Sequence, residues 1–207
     1  MKSKSLRYTL LGCFVVLLAC ILFNPILNVC GRHCQTIDYV TLQHYAQNHK
    51  LSENYAIVVD FSIHSGRHRF FLCDLRQKKI VASSLCAHGV GKGSTTRKPV
   101  FSNEVGSNCS CIGHFKITGK HKMSTSGLPS FKLIGLDKSN NNAARREILI
   151  HSARLLSKCR FGIYPFYLPL DKRISSGCFA ISIDMMDRIE KIVEKEKKDI
   201  LLWADCS

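Results

Sequence analysis

The sequence predicts a mainly β domain with one clear helix near its end, and three observations carry that expectation. From Tyr55 onward the chain breaks into short runs rich in β-branched and aromatic residues, separated by turn-forming clusters. Gly113 to Thr118 alternates strictly, with Phe115 and Ile117 on one side and His114 and Lys116 on the other. Asp184 to about Lys198 changes period, placing Met185, Ile189, Ile192 and Val193 on one helical face, with Asp184 as the expected cap. The 207 residues are 45% hydrophobic and 22% charged, enough to bury one ordinary core.

The elements follow in order. Ile37, Val40, Leu42, Tyr45 and Ala46 suggest a short helix. Tyr55 to Ser62, Arg69 to Leu75 and Lys79 to Ala87 read as three strands, the first two joined by a turn at Ser65-Gly66. Gly89 to Val100 is a glycine-rich loop. Its Gly91-Lys92-Gly93-Ser94-Thr95 string lacks the spacing of a phosphate loop. Phe131 to Leu136 and Glu147 to His151 are further strands, with a helical turn over Asn140 to Arg146. Cys159 to Ile174, rich in Tyr, Phe and Pro, reads as an inserted loop, and Ile200 to Trp203 as a last strand.

The N-terminus bears on compartment. Lys2, Lys4 and Arg7 precede an apolar run from Tyr8 to Cys30. Such a run is long enough to span a bilayer, and basic residues before it keep that end inside. A retained signal anchor, a lipoprotein signal ending Leu17-Leu18-Ala19-Cys20 and a cleaved secretory peptide all fit, and all export the rest. The expected division is residues 1–30 as signal anchor or signal peptide, 31–51 as a linker with a short helix, and 52–207 as the mainly β domain. The net charge of +15 fits polyanionic surroundings, an acidic wall polymer or lipid among them, and equally a dispersed charge that only keeps the domain soluble. Export and the absence of a binding motif argue against nucleic acid. Cysteine is plentiful at 11 residues, nine of them beyond Cys20, an odd number that leaves at least one thiol unpaired within the chain.

One constellation offers chemistry. A strand ends in Ile150-His151-Ser152, and Ser175-Ser176-Gly177-Cys178 follows later. A thiol attacks only as thiolate, and an imidazole nearby can take its proton. Gly177 lets the backbone turn sharply, exposing the sulfur and aiming amides at a developing oxyanion. The same residues also fit a structural cysteine and a hydrogen-bonded core histidine. Cys109, Cys111, His114 and His121 lie close in sequence, but Cys-x-Cys with dispersed histidines is not a zinc pattern, and no metal site is expected.

The order of these motifs resembles the L,D-transpeptidase (YkuD-type) family, in its murein L,D-transpeptidase catalytic domain branch. The likeness covers about residues 52 to 205. It rests on His151-Ser152, on Ser175 to Cys178, on Gly113, Phe115 and Ile117, and on Phe101 to Asn103, Gly135 to Asp137 and Asn142-Ala143. Ser176 stands where the better-known branch has histidine, Ala180 where it often has Arg or Asn, and the 27 positions from His151 to Cys178 exceed the usual gap. The resemblance implies a YkuD-like β-sandwich and an enzyme of the bacterial cell envelope, on the periplasmic or extracytoplasmic side and membrane-anchored. Its partners would be peptidoglycan stem peptides, with the inner membrane held through the N-terminal segment. Cys178 would be the nucleophile and His151 the general base and acid, oriented by the carbonyl of Ser152; the amides of Gly177 and Cys178 would form the oxyanion hole. His88, Ser176, Asn103 and Tyr164 are the candidate substrate contacts, with a turn role the alternative for Asn103. No cofactor is implied. The product would be a 3→3 cross-link. An L,D-carboxypeptidase or a non-catalytic peptidoglycan-binding domain are the alternatives, and oligomeric state is open.

Overall fold

The computed structural model describes residues 12, 37–91, 93–95, 98–122, 127–154, 156 and 175–206. In chain order these form α1 (Tyr39–Asn48), β1 (Tyr55–Asp60), β2 (Phe70–Asp74), β3 (Lys79–Ser84), β4 (Cys86–Ala87), β5 (Gly113–Lys122), β6 (Pro129–Gly135), β7 (Leu149–Ser152), β8 (Phe179–Ile181), α2 (Ile183–Lys195) and β9 (Ile200–Asp205).

All the strands join one sheet, ordered β3-β2-β1-β9-β5-β6-β7-β8-β4. The β1–β9 and β7–β8 pairs are parallel and the others antiparallel. The two outermost strands, β3 and β4, are separated in sequence by Leu85 alone. The sheet therefore curls until its ends meet. The expected β-sandwich is realised as one continuous curled sheet around a core, not as two separate sheets.

Strand pleating assigns the faces. Ile57 and Val59 of β1, Phe115 and Ile117 of β5, and Ile150 and Phe179 of β7 and β8 all enter the main core. Helix α2 adds Met185, Met186 and Ile189 to it. The intervening residues of β1 and β9, Ala56 and Leu201, face the other way and receive α1 through Leu42 and Ala46. Asp38 caps α1, its Oδ1 accepting from the amides of Val40 and Thr41 at 3.0 and 3.1 Å. The Tyr45 ring stacks between His49 and His114 at 4.0 and 3.9 Å, and His114 in turn stacks on Trp203 at 5.1 Å. Burial first, then Asp137, pushes the Tyr45 hydroxyl up to about 12.

Several expected boundaries move. The run from Lys79 to Ala87 is two strands, because Leu85 is the corner between the sheet's ends. The strand expected from Glu147 begins at Leu149, since Glu147 adopts a left-handed conformation (φ 53°). Helix α2 is capped by Ser182 rather than Asp184. The Ser182 hydroxyl accepts from Met185 N at 3.2 Å and from Ser84 Oγ at 3.1 Å, while Asp184 sits in the first turn. Apart from Gly12, the apolar N-terminal run lies outside the described residues, as does the 159–174 segment. Among the described residues no helix is long and apolar enough to cross a membrane.

Removing the cap tests this assignment. Ser182→Ala should destabilise the domain by about 1 kcal/mol in urea unfolding, and Asp184→Asn by about half that or less.

Candidate active site

The site is built where β7 and β8 lie side by side. Their parallel register sets Ile150 opposite Phe179 and His151 opposite Ala180. Ile150 and Phe179 face the main core, so alternation turns their neighbours His151, Cys178 and Ala180 to the opposite face. One step back along the register, Leu149 meets Cys178, and Leu149 N donates to Cys178 Sγ at 3.4 Å. The sheet thus brings His151 and Cys178 to one face from positions far apart in sequence. A parallel pair needs a long crossover, which is the topological reason for the wide gap between the two residues.

His151 is buried, 4% exposed, with its Nδ1 3.2 Å from the Ser152 carbonyl oxygen. With Nδ1–H donating there, Nε2 is the lone-pair nitrogen. Burial lowers its pKa below the usual imidazole value, partly offset by that hydrogen bond, so the ring is a neutral base at pH 7. The Ser152 hydroxyl is buried with no partner among the described residues, so the contact Ser152 makes here is through its carbonyl. The half-buried Cys178 thiol lies 3.5 Å from the Glu147 carbonyl oxygen. Burial raises the thiol pKa, while the Leu149 amide and then Arg146 pull it down.

The turn that presents Cys178 is tied on every side. Gly177 has φ 122°, and a Cβ there would come 2.8 Å from Cys109 O and 2.9 Å from Ile148 Cδ1. Gly177 O accepts from Ser110 Oγ at 3.0 Å, and Ser110 Oγ accepts from Gly89 N at 2.9 Å. Ser175 Oγ accepts from Gly177 N at 3.1 Å and donates to Cys178 O at 2.6 Å. Ser175 O accepts from Val90 N at 3.1 Å. Residues 88–91, 107–111 and 175–178 thereby form one knot. The Gly177 amide, expected to point at an oxyanion, is committed to Ser175 in this arrangement.

The remaining sequence candidates fall in different places. Ser176 is exposed on the turn beside Cys178. His88 continues β4 into the interior, 1% exposed, with its ring edge-on to Phe61. The fully buried Arg69 donates from Nη2 to His88 Nδ1 at 2.7 Å and from Nε to Cys86 O at 2.8 Å. His88 thus lies on the core side, and not on the face shared by His151 and Cys178. Asn103 spends its amide on loop structure: it donates to Lys138 O at 3.1 Å and Asn141 Oδ1 at 2.7 Å, and accepts from Asn142 N at 3.2 Å. This is the turn role, and it leaves the amide engaged with the 136–147 loop instead of open to a ligand. Tyr164 lies outside the described residues.

Among the described residues, no three His, Cys, Asp or Glu side chains converge as metal ligands. Cys109 and Cys111 are buried free thiols, and His114 Nδ1 pairs with Asp137 Oδ2 at 2.8 Å. In sequence, Arg146 stands only as the end of a helical turn. It is instead part of the knot, donating to the carbonyls of Ser102 and Cys109. Its position just before the strand that carries His151 was the available signal.

A sheet of this topology, with a histidine on one strand and a cysteine in the turn that leads into its parallel neighbour, is the setting in which the comparisons fall. A model of the L,D-transpeptidase catalytic domain matches residues 32–203. The chain belongs to the L,D-transpeptidase catalytic domain family. Among solved structures, it is similar to the L,D-transpeptidase of Xylanimonas cellulosilytica, at 10% identity and TM-score 0.43, covering 78% of this chain and 68% of that one. The helical cell shape determining protein Pgp2 of Campylobacter jejuni aligns at 13% identity and TM-score 0.44, over 75% of this chain and 48% of that one. This chain therefore spans about half the length of that protein. The L,D-transpeptidase of Stackebrandtia nassauensis aligns at 10% identity and TM-score 0.40, over 84% and 67%. No curated protein sequence matches the chain.

Gly177→Ala places a methyl group against backbone in a conformation that alanine rarely adopts. It should cost about 2 kcal/mol or more in unfolding free energy and suppress alkylation of Cys178 by iodoacetamide.

Proposed function

We propose that this protein is a cell-envelope L,D-transpeptidase that forms 3→3 peptidoglycan cross-links, with Cys178 as nucleophile and His151 as general base and acid. The observation that carries this reading is the placement of His151 on β7 and of Cys178 in the turn entering its parallel neighbour β8, tied to β7 through Leu149 N, with the histidine tautomer set by the Ser152 carbonyl. Family membership supplies the reaction class.

In the scheme, Cys178 Sγ attacks the carbonyl of the third residue of a tetrapeptide stem while His151 Nε2 takes the thiol proton. The tetrahedral intermediate collapses to a thioester, and its C–N bond breaks. His151 returns the proton to the departing amine of D-Ala. The side-chain amine of a second stem attacks the thioester, His151 accepts a proton from it, and the thiolate leaves and is reprotonated. Because Gly177 N is held by Ser175, the Cys178 amide is the oxyanion donor of the turn in this scheme. Ser176, exposed beside the sulfur, lines the donor path. The basic N-terminus and its apolar run support export, with residues 1–30 holding the domain 52–207 at the outer face of the inner membrane.

The test incubates the full chain in detergent with purified tetrapeptide muropeptides and reads protein and products by mass spectrometry. A stem adduct on Cys178 with cross-linked dimers is the expected result. Tripeptide alone makes water the acceptor and the enzyme a carboxypeptidase. No adduct and no product, in folded protein with reduced Cys178, overturns the reading. Cys178→Ala and His151→Ala should each lower turnover by at least about a thousandfold while leaving the fold intact.

The pH profile has a defined sign. His151 must be neutral to accept a proton, and burial holds its pKa below the ordinary 6.5. The acid limb of the turnover profile should therefore lie below pH 6.5. The same depression means the unfolded chain binds a proton that the folded one refuses, so the stability His151 contributes is lost as pH falls through the ordinary imidazole range.

A further inference from the structure

Arg146 lies against the nucleophile turn, and the acyl-transfer scheme gives it no task. Its Nη1 donates to Ser102 O at 2.6 Å, and its Nη2 donates to Ser107 Oγ at 3.2 Å and to Cys109 O. Every one of these acceptors is uncharged, and among the described residues no carboxylate forms an ion pair with Arg146. A guanidinium held by carbonyl and hydroxyl dipoles alone keeps its full charge available to a neighbour. That neighbour is the nucleophile turn, since a Cβ on Gly177 would lie 3.3 Å from Nη2.

The groups around Cys178 Sγ come from two segments. The lead-in to β7 supplies the Glu147 carbonyl and carboxylate, the Leu149 amide and, further along, His151. The 107–111 strap supplies the neutral, buried Cys111. Arg146 also belongs to the β7 lead-in, directly before Glu147, and of the titratable groups named it alone is a permanent cation. We propose that Arg146 is the positioning residue of this site: it clamps the Ser102–Cys109 strap beneath Gly177 and sets a fixed positive charge beside the Cys178 sulfur, stabilising the negative charge that forms there. This rests on the reading of Cys178 as nucleophile.

The test needs no peptidoglycan. The full chain in detergent is treated with iodoacetamide from about pH 5 to about pH 10, and labelling of the Cys178 peptide is followed by mass spectrometry. For Arg146→Met the labelling rate at neutral pH should fall about fivefold, and the midpoint should move to higher pH. Arg146→Lys, which restores the charge without the fork, should bring the midpoint part of the way back. A folded Arg146→Met protein whose profile superimposes on the wild type overturns the proposal. Should Arg146→Met fail to fold, Arg146→Gln, neutral but still a donor, carries the same expected and overturning outcomes. A shifted profile in a protein that processes no muropeptide would uphold the role of Arg146 and sink the transpeptidase reading. An unshifted profile in an active cross-linking enzyme would do the reverse.

Discussion

The parallel register of β7 and β8 is the constraint on which the site depends. Strand residues point to alternate faces, so a slip of one position in either strand would send His151 or Cys178 into the core. The register is held by what lies on the buried side. Ile150 and Phe179 are fully buried in the main cluster, and Phe179 packs on Phe61 and Phe115 at 5.7 and 5.6 Å between ring centroids. The face that faces away from the chemistry thus fixes the face that carries it.

Around that pair the fold spends polar groups where burial would otherwise be costly. Arg69 is fully buried, yet its Nε and Nη1 meet the carbonyls of Cys86 and Ile63 and its Nη2 meets His88. Such a charge is tolerable only when its donors are met. It joins β2 to the corner where the sheet's two ends come together. The half-buried Arg146 is met in the same way, by the carbonyls of Ser102 and Cys109 in the 102–109 strap. Arg69 thus ties down His88 and the Cys86 carbonyl, while Arg146 holds the 102–109 strap and, with Cys109 O and Ile148, leaves no room for a side chain on Gly177.

Much of the fold was legible because burial imposes a period. The alternation of Phe115 and Ile117 and the helical spacing of Met185 and Ile189 announced β5 and α2 directly. β8 was not legible: it has three residues, with no room for alternation to show, and is recognisable only through its parallel partner. Ser182 was passed over as cap for Asp184 because both are good capping residues, and the choice is decided by Ser84, which is distant in sequence. The Cys178–His151 pair was legible as motif. His88 and Asn103 were placed among the substrate contacts because polar residues next to glycine or in turns look available in sequence. Their hydrogen bonds to Arg69 and to the 136–147 loop join residues distant in sequence, which no local pattern encodes. Arg146 was obscured for the same reason, as a charge in a basic chain where many charges only solvate.

The electrostatics of the pair bear on how the proposed chemistry begins. Burial raises the Cys178 thiol and lowers the His151 imidazole, so both shifts favour the neutral pair over a thiolate–imidazolium ion pair. A resting ion pair would ask the site to hold two charges that its own desolvation opposes. The proton is better moved as the sulfur attacks, when negative charge passes from sulfur to the carbonyl oxygen and the amides of the turn can receive it. On this view the Leu149 amide and the Arg146 guanidinium, both of which pull the thiol pKa down, limit the height of that step without creating a permanent thiolate. A mostly protonated resting sulfur is also less open to oxidation, since sulfenic acid forms from the thiolate. A Cys178 thiol kept neutral until a carbonyl arrives is the arrangement that burial alone favours.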